Sequence, residues 1–253
     1  MPVQVIPSSE AQLLEVFSSI QGEGGLIGCR QVFVRMAGCN LNCAYCDTDF
    51  SPQDYCRIED APGSGQFRNV ANPVALEVLA GIISEWVERS PGMHHSISLT
   101  GGEPLLQGLV LQEWLPVLRQ ILPVYLETNG TCPESLEPLL PFLDWISMDV
   151  KLSSVTGVPT PWKLHRSFLA LSSKTGVWVK AVVAEETPVE EMSELGKVVQ
   201  QVAPDATICL QPVTKGGKVG MSNHHLLTLQ TALSRVHKNI RVIPQTHVFL
   251  GLL

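Results

Sequence analysis

The sequence predicts an α/β protein built as an incomplete or modified (β/α) barrel. Short apolar or β-branched runs closed by Gly, Pro, Asn or Asp recur at residues 13–17, 32–36, 96–99, 124–127, 145–149, 177–183, 207–210 and 241–243, and these read as strands. Helical patterns lie between them. Repeated strand–helix alternation implies a parallel sheet with covering helices, and 253 residues suit one barrel. A doubly wound open sheet is the other arrangement with this alternation. In either, function belongs on loops that follow the carboxyl ends of the strands.

Taken in order, a short leading strand at 13–17 precedes the strand at 32–36. Asn72-Pro73 reads as an N-cap followed by proline at the first helical position. After it Val74, Val78, Ile82 and Trp86 repeat at a spacing of four, which marks one apolar helix face. Further helices are expected over 109–121, 162–171, 188–202 and 222–237. Six strand–helix units use up the chain, so residues 1–253 are read as one core domain with a short N-terminal strand extension. Residues 51–72 form the one long irregular stretch, and loops of that length are usually functional.

Composition bounds the function. Hydrophobic residues at 45% and charged residues at 16% exclude a disordered chain. The balance of 17 Lys+Arg against 24 Asp+Glu, a net charge of −7, argues against nucleic acid as a partner. No apolar run approaches the roughly 18 residues that span a bilayer, so no membrane association is expected. The first ten residues lack the basic start and apolar core of a secretory signal. A cytoplasmic protein is the expected class.

Seven cysteines without a signal argue against a disulfide scaffold. Cys39-x3-Cys43-x2-Cys46 follows the strand at 32–36 directly. Chance at this cysteine content predicts about 0.005 such triples in the chain, so the spacing needs a cause. Three thiolates on one tight loop can hold three irons of a cubane cluster and leave the fourth iron open for chemistry. Structural zinc with Cys56 or Cys29, or an electron-transfer cluster with four protein ligands, are the other readings. Zinc ribbons normally use two Cys-x2-Cys pairs, and only one exists here. Cys29, Cys56, Cys132 and Cys209 read as ordinary small apolar residues. His224-His225 is read as surface and His94-His95 as loop.

The triple resembles the signature of the radical S-adenosylmethionine (SAM) superfamily. That resemblance implies a [4Fe–4S] cluster at the carboxyl ends of the strands, with its open iron binding the amino and carboxylate groups of SAM. It also implies cleavage of SAM to a 5′-deoxyadenosyl radical. Later strand ends agree. Thr100-Gly101-Gly102-Glu103-Pro104 is similar to the superfamily's Gly-Gly-Glu-Pro motif, in which Gly102 admits the ligand and Glu103 accepts from the methionyl amine. Glu127 and Asn129 would bond the ribose hydroxyls. Ser147, Asp149 and Lys151 stand at another SAM-contacting strand end, and Gln211 would reach the adenine edge.

The flanks narrow the resemblance. Ile20-Gln21-Gly22-Glu23-Gly24 before the triple, Cys46-Asp47-Thr48 after it, and Gln245-Thr246-His247 near the end together resemble the 7-carboxy-7-deazaguanine synthase family. The resemblance implies a lyase of the queuosine and deazapurine pathway. Its substrate would be 6-carboxy-5,6,7,8-tetrahydropterin, which undergoes a radical ring contraction with loss of ammonia while SAM is regenerated. Thr48 would be the Mg2+ ligand, and Ile20, Gln21, Gly22, Glu23, Arg35, Thr100, Gln245 and His247 would contact substrate. A carboxylate suits the guanidine-like edge of the pterin and an arginine suits its carboxylate, types that Glu23 and Arg35 supply. An electron donor such as flavodoxin or ferredoxin and a homodimer are further implications. Val248 stands where family members often have lysine. The rival readings are an activating enzyme for a glycyl-radical protein, which Gln21-Gly22-Glu23-Gly24 disfavours, and a non-catalytic zinc or iron–sulfur protein.

Overall fold

A computed structural model describes residues 10–46 and 49–252. Ten strands form one sheet among them. They are β1 (Leu13–Ile20), β2 (Arg30–Met36), β3 (Tyr55–Glu59), β4 (Phe67–Ala71), β5 (Ser96–Gly101), β6 (Val124–Thr128), β7 (Trp145–Val150), β8 (Gly176–Val183), β9 (Thr207–Pro212) and β10 (Ile240–Val242). The order across the sheet is β10-β9-β8-β7-β6-β5-β2-β1-β3-β4. From β2 to β10 every neighbouring pair is parallel. Seven parallel strands joined by six crossovers match the six units expected. These strands lie side by side in chain order with no reversal, which a doubly wound sheet would need, and the strip does not close on itself, so the incomplete barrel is the arrangement present.

The crossovers carry α1 (Leu76–Arg89), α2 (Gly108–Ile121), α3 (Trp162–Ser172), α4 (Val189–Val202) and α5 (Asn223–Ser234). The link from β6 to β7 has only a helical turn, Pro133–Leu136, and a 3-10 segment, Glu137–Phe142. Alternate strand residues point at these helices: Val32, Val34 and Met36, Ile97 and Leu99, Ile146 and Met148, Val179 and Ala181, Ile208 and Leu210, all buried. Leu79, Ile83, Trp114, Leu118, Phe168, Leu195 and Leu229 meet them from the helices. Burying each such side chain stabilises the fold by roughly 1.5–3 kcal/mol.

The leading strand runs antiparallel to β2, with Glu15 opposite Arg35 and Ile20 opposite Arg30. Its following turn therefore enters the barrel from the end opposite the cluster loop.

Two expectations need correction. Asn72 is no N-cap: α1 starts at Leu76, and Val74–Ala75 pair instead with Glu10–Ala11. The Asn72 side chain is spent on the backbone of Leu13, accepting from its N–H at 3.2 Å and donating to its carbonyl at 2.7 Å. Residues 51–72 are not one irregular stretch. β3 and β4 form an antiparallel hairpin that extends the sheet beyond β1. Cys56 and Ile58 alternate inward into the core, and Glu59 gathers the hairpin loop by accepting from Gly63 and Gly65 at 3.0 and 2.8 Å. His94 is also buried, bonded to the Ser18 hydroxyl at 2.8 Å.

Candidate active site

The strand residues in the other phase face the concave side of the barrel, and many of them are polar. Glu15 on β1, Arg35 on β2, Thr100 on β5, Glu127 on β6, Ser147 and Asp149 on β7, Lys180 on β8 and Gln211 on β9 all line one cavity of about 670 Å3. A strand alternates its side chains between faces, so a single phase choice puts all of these inside. The cysteine loop, leaving the carboxyl end of β2, forms one wall with Cys39, Cys43 and Cys46. The turn after β1 forms another wall with Ile20, Gln21, Gly22 and Glu23, and its 3-10 segment Gly24–Leu26 packs against β8 and β9. Gln245 and His247 line the same cavity from the C-terminal segment.

The cysteine wall fits a cluster by the chemistry of its donors. Three thiols share one loop and the cavity surface. Burial is the first cause that pushes the Cys39 and Cys43 thiols up, and each also feels the neighbouring cysteines. Among the described residues no three His, Cys, Asp or Glu side chains converge on a single ion. A cubane takes each thiolate on a different iron, so its ligands stand farther apart than those of one ion. On the wall of the same cavity two buried acceptors, Asp149 Oδ1 and Gln211 Oε1, have no hydrogen-bond partner. Buried polar atoms are ordinarily satisfied, so orphans on a cavity wall suit a polar ligand. Cys56 and Cys209 are buried in β3 and β9, and burial first of all pushes their thiols up to about 12 and about 11. They behave as the apolar residues expected.

Glu103 departs from expectation. Its carboxylate is fully buried and does not line the cavity. It accepts from the N–H groups of Leu105 at 3.0 Å and Asn129 at 2.7 Å and from the Thr128 hydroxyl at 2.9 Å, so it ties the two loops together from behind. Asn129 in turn donates to Asn40 on the cysteine loop at 2.8 Å and bonds Thr131. Gly102 packs against the Gly38 carbonyl, where any Cβ would overlap the backbone. Asp149 Oδ2 accepts from Lys151 at 2.8 Å, and Lys151 also donates to the Tyr45 hydroxyl at 2.9 Å. Thr48 lies outside the described residues.

The far end is held by Glu23, whose partners the sequence did not disclose. Lys180 donates to its Oε2, and Gln211 and Gln245 donate to its Oε1 at 3.0 and 2.9 Å. Burial raises the Glu23 carboxyl, but Lys180 and then Gln245 and His247 outweigh it and bring it down to about 2. A carboxylate offers about four acceptor sites. With three in use, a paired contact to two donors of a ligand has room only if Gln211 or Gln245 gives way. Gln211 thus turns its amide nitrogen to Glu23, and its orphan carbonyl oxygen is what remains for a ligand.

Gln21 donates to Glu127 at 2.5 Å, and Thr100 donates to the other Glu127 oxygen at 2.6 Å. Arg35 does not pair with Glu23; its Nε donates to Glu15 at 2.7 Å. Lys180 is the residue that sequence reasoning missed. Its signal was one of phase: in the strand GVWVKAVV it shares the cavity-facing alternation with Trp178 and Val182.

The family profile of the radical SAM superfamily matches residues 33–158. The chain is 46% identical over 243 residues to a 7-carboxy-7-deazaguanine synthase of Geobacter sulfurreducens, covering 95% of this chain and 97% of that one. It is 33% identical to the synthase of Methanocaldococcus jannaschii, covering 94% and 99%. In three dimensions it is similar to QueE from Escherichia coli, with a TM-score of 0.58, 21% identity and coverage of 93% and 94%, which supports the fold. With near-complete coverage at these identities, the chain belongs to the 7-carboxy-7-deazaguanine synthase family within the radical SAM superfamily.

Proposed function

We infer that this chain is a radical SAM lyase that converts 6-carboxy-5,6,7,8-tetrahydropterin to 7-carboxy-7-deazaguanine with loss of ammonia, in queuosine and deazapurine synthesis. The observation that carries this reading is one cavity with two chemically different ends, the three thiols at one and the Glu23–Lys180 pair at the other. When bound, a reduced [4Fe–4S] cluster with SAM supplies the one-electron chemistry that abstracts a substrate hydrogen.

Cys39, Cys43 and Cys46 would hold the cluster. Gly102, Glu127, Asn129, Ser147, Asp149, Lys151 and Gln211 would position SAM, and Glu103 would act from behind by fixing the loops. Ile20, Gln21, Gly22, Glu23, Thr100, Gln245 and His247 would bind the pterin, with Arg35 toward its carboxylate. Arg35 lines the same cavity from the carboxyl end of β2, four residues before Cys39, so a carboxylate held there would lie on the cluster side. Mg2+ with Thr48, a flavodoxin or ferredoxin donor, a homodimer and a cytoplasmic location belong to the same reading. No helix among the described residues is long and apolar enough to cross a membrane.

Incubation with SAM, a reductant, magnesium and the carboxytetrahydropterin tests the activity. A deazapurine carboxylate detected by mass spectrometry is expected. SAM cleavage with no such product, from protein carrying a full cluster, refutes the substrate assignment.

A further inference from the structure

We propose that Lys180 is a positioning residue that keeps Glu23 a carboxylate in one orientation, so that a fixed anionic acceptor meets the donor-rich edge of the substrate. This rests on reading the cavity as the carboxytetrahydropterin site. Lys180 is a cation on a central strand with its side chain 14% exposed, and it bridges two carboxylates: it bonds Glu23 and stands 3.3 Å from Asp149 Oδ2. Register puts Lys180 directly opposite Asp149 on β7, so its place is set by the sheet and not by a flexible loop. The turn that carries Glu23 is anchored to the same wall, because Gly25 packs on the Trp178 ring two residues before Lys180.

The surrounding charges decide what happens if the lysine is removed. Glu127 on β6 also faces Lys180, so three acids share this cation. Asp149 keeps Lys151 at 2.8 Å, and Glu127 keeps bonds from Gln21 and Thr100. Glu23 keeps only the neutral amides of Gln211 and Gln245, with His247 as the remaining basic group near it. Tyr125 adds no negative charge to this cluster, since burial first of all holds its phenol un-ionised. A buried acid without its counter-charge binds a proton. Glu23 is therefore the group that becomes neutral, and a neutral carboxyl group loses part of its acceptor capacity and is free to turn.

The test uses cluster-loaded wild type, Lys180→Met, Lys180→Arg and the double variant Lys180→Met/Glu23→Gln, over roughly pH 5 to 8. Infrared difference spectra read the protonated carboxyl band without substrate. Anaerobic titration without reductant reads the affinity for the carboxytetrahydropterin. Burial first of all raises the Glu103 carboxyl in all four proteins, so the expected result is an additional protonated carboxyl band in Lys180→Met at the acid end, absent from wild type, from Lys180→Arg and from the double variant. Affinity in Lys180→Met should fall about tenfold for each pH unit below the raised pKa, while Lys180→Arg stays level. No such band in Lys180→Met, a band that survives Glu23→Gln, or equal pH-independent losses in Lys180→Met and Lys180→Arg would each overturn the proposal. Failure of wild type to bind the carboxytetrahydropterin overturns the substrate reading by itself, and the carboxyl band still decides whether Lys180 holds Glu23 ionised.

Discussion

Arg35 and Glu15 stand opposite each other on the antiparallel strands β1 and β2 and are joined at 2.7 Å through the arginine Nε. The guanidinium also lies over the Phe17 ring, 5.6 Å from its centroid. Held at Nε and on its face, it keeps its terminal nitrogens for a carboxylate at the cavity side. Lysine offers no fork and no planar face. Arg35→Lys should therefore weaken binding of the carboxytetrahydropterin about tenfold, the size of one charge-assisted hydrogen bond. A pterin without the carboxylate should lose much less. Glu15→Gln should shift binding in the same direction by a smaller factor. Equal losses for the two ligands in titrations of Arg35→Lys would remove Arg35 from carboxylate recognition.

Cys39→Ala, Cys43→Ala and Cys46→Ala should each lose the cluster's iron and all SAM cleavage, with circular dichroism unchanged. Cys56→Ala should keep both, because that thiol is buried in β3 and stays protonated at neutral pH. Iron analysis after anaerobic reconstitution checks this, and iron loss in Cys56→Ala would show a fourth protein ligand.

Gly22→Ala tests the C-terminal segment. A Cβ on Gly22 would overlap both the ring and the backbone of His247, and Thr246 N–H donates to the Gly22 carbonyl at 3.0 Å. The segment must move away, taking Gln245 off Glu23. Substrate affinity should drop about tenfold or more for a lost bond to a charged group, while iron content stays full. Unaltered affinity would show that Gln245 and His247 do not contribute to binding.

Two histidines set the acid side of stability. His94 and His165 are buried, and burial first of all holds each down to about 4 from 6.5. Arg30 adds to this at His94. Because the folded value lies below the unfolded one, the unfolded chain binds more protons between those values. Stability therefore rises with pH from about 4 to 6.5 and is level with respect to these groups above that, each contributing on the order of 3 kcal/mol across the window. Urea midpoints should fall steadily below pH 6.5, and His94→Gln should flatten part of the slope. A midpoint that does not change between neutral pH and about pH 5 would contradict this.

The amino-acid sequence by itself determined the strand–helix succession, the six parallel units, the cysteine loop and the polar strand ends at Thr100, Glu127, Asp149 and Gln211. These are local: each follows from the period of a short run or the spacing of a few residues, read within a dozen positions. The hairpin at 55–71 was less legible because its pattern is short and interrupted by glycines. What only the tertiary structure decided is how the charges pair. Glu23 meets Lys180 across 157 residues and Gln245 across 222, Arg35 goes to Glu15, and Glu103 turns away from the cavity to bind two backbone N–H groups. The physical reason is that a carboxylate takes whichever donor the curvature and shear of the sheet bring to it. Those are properties of the assembled barrel, and no window of sequence contains them.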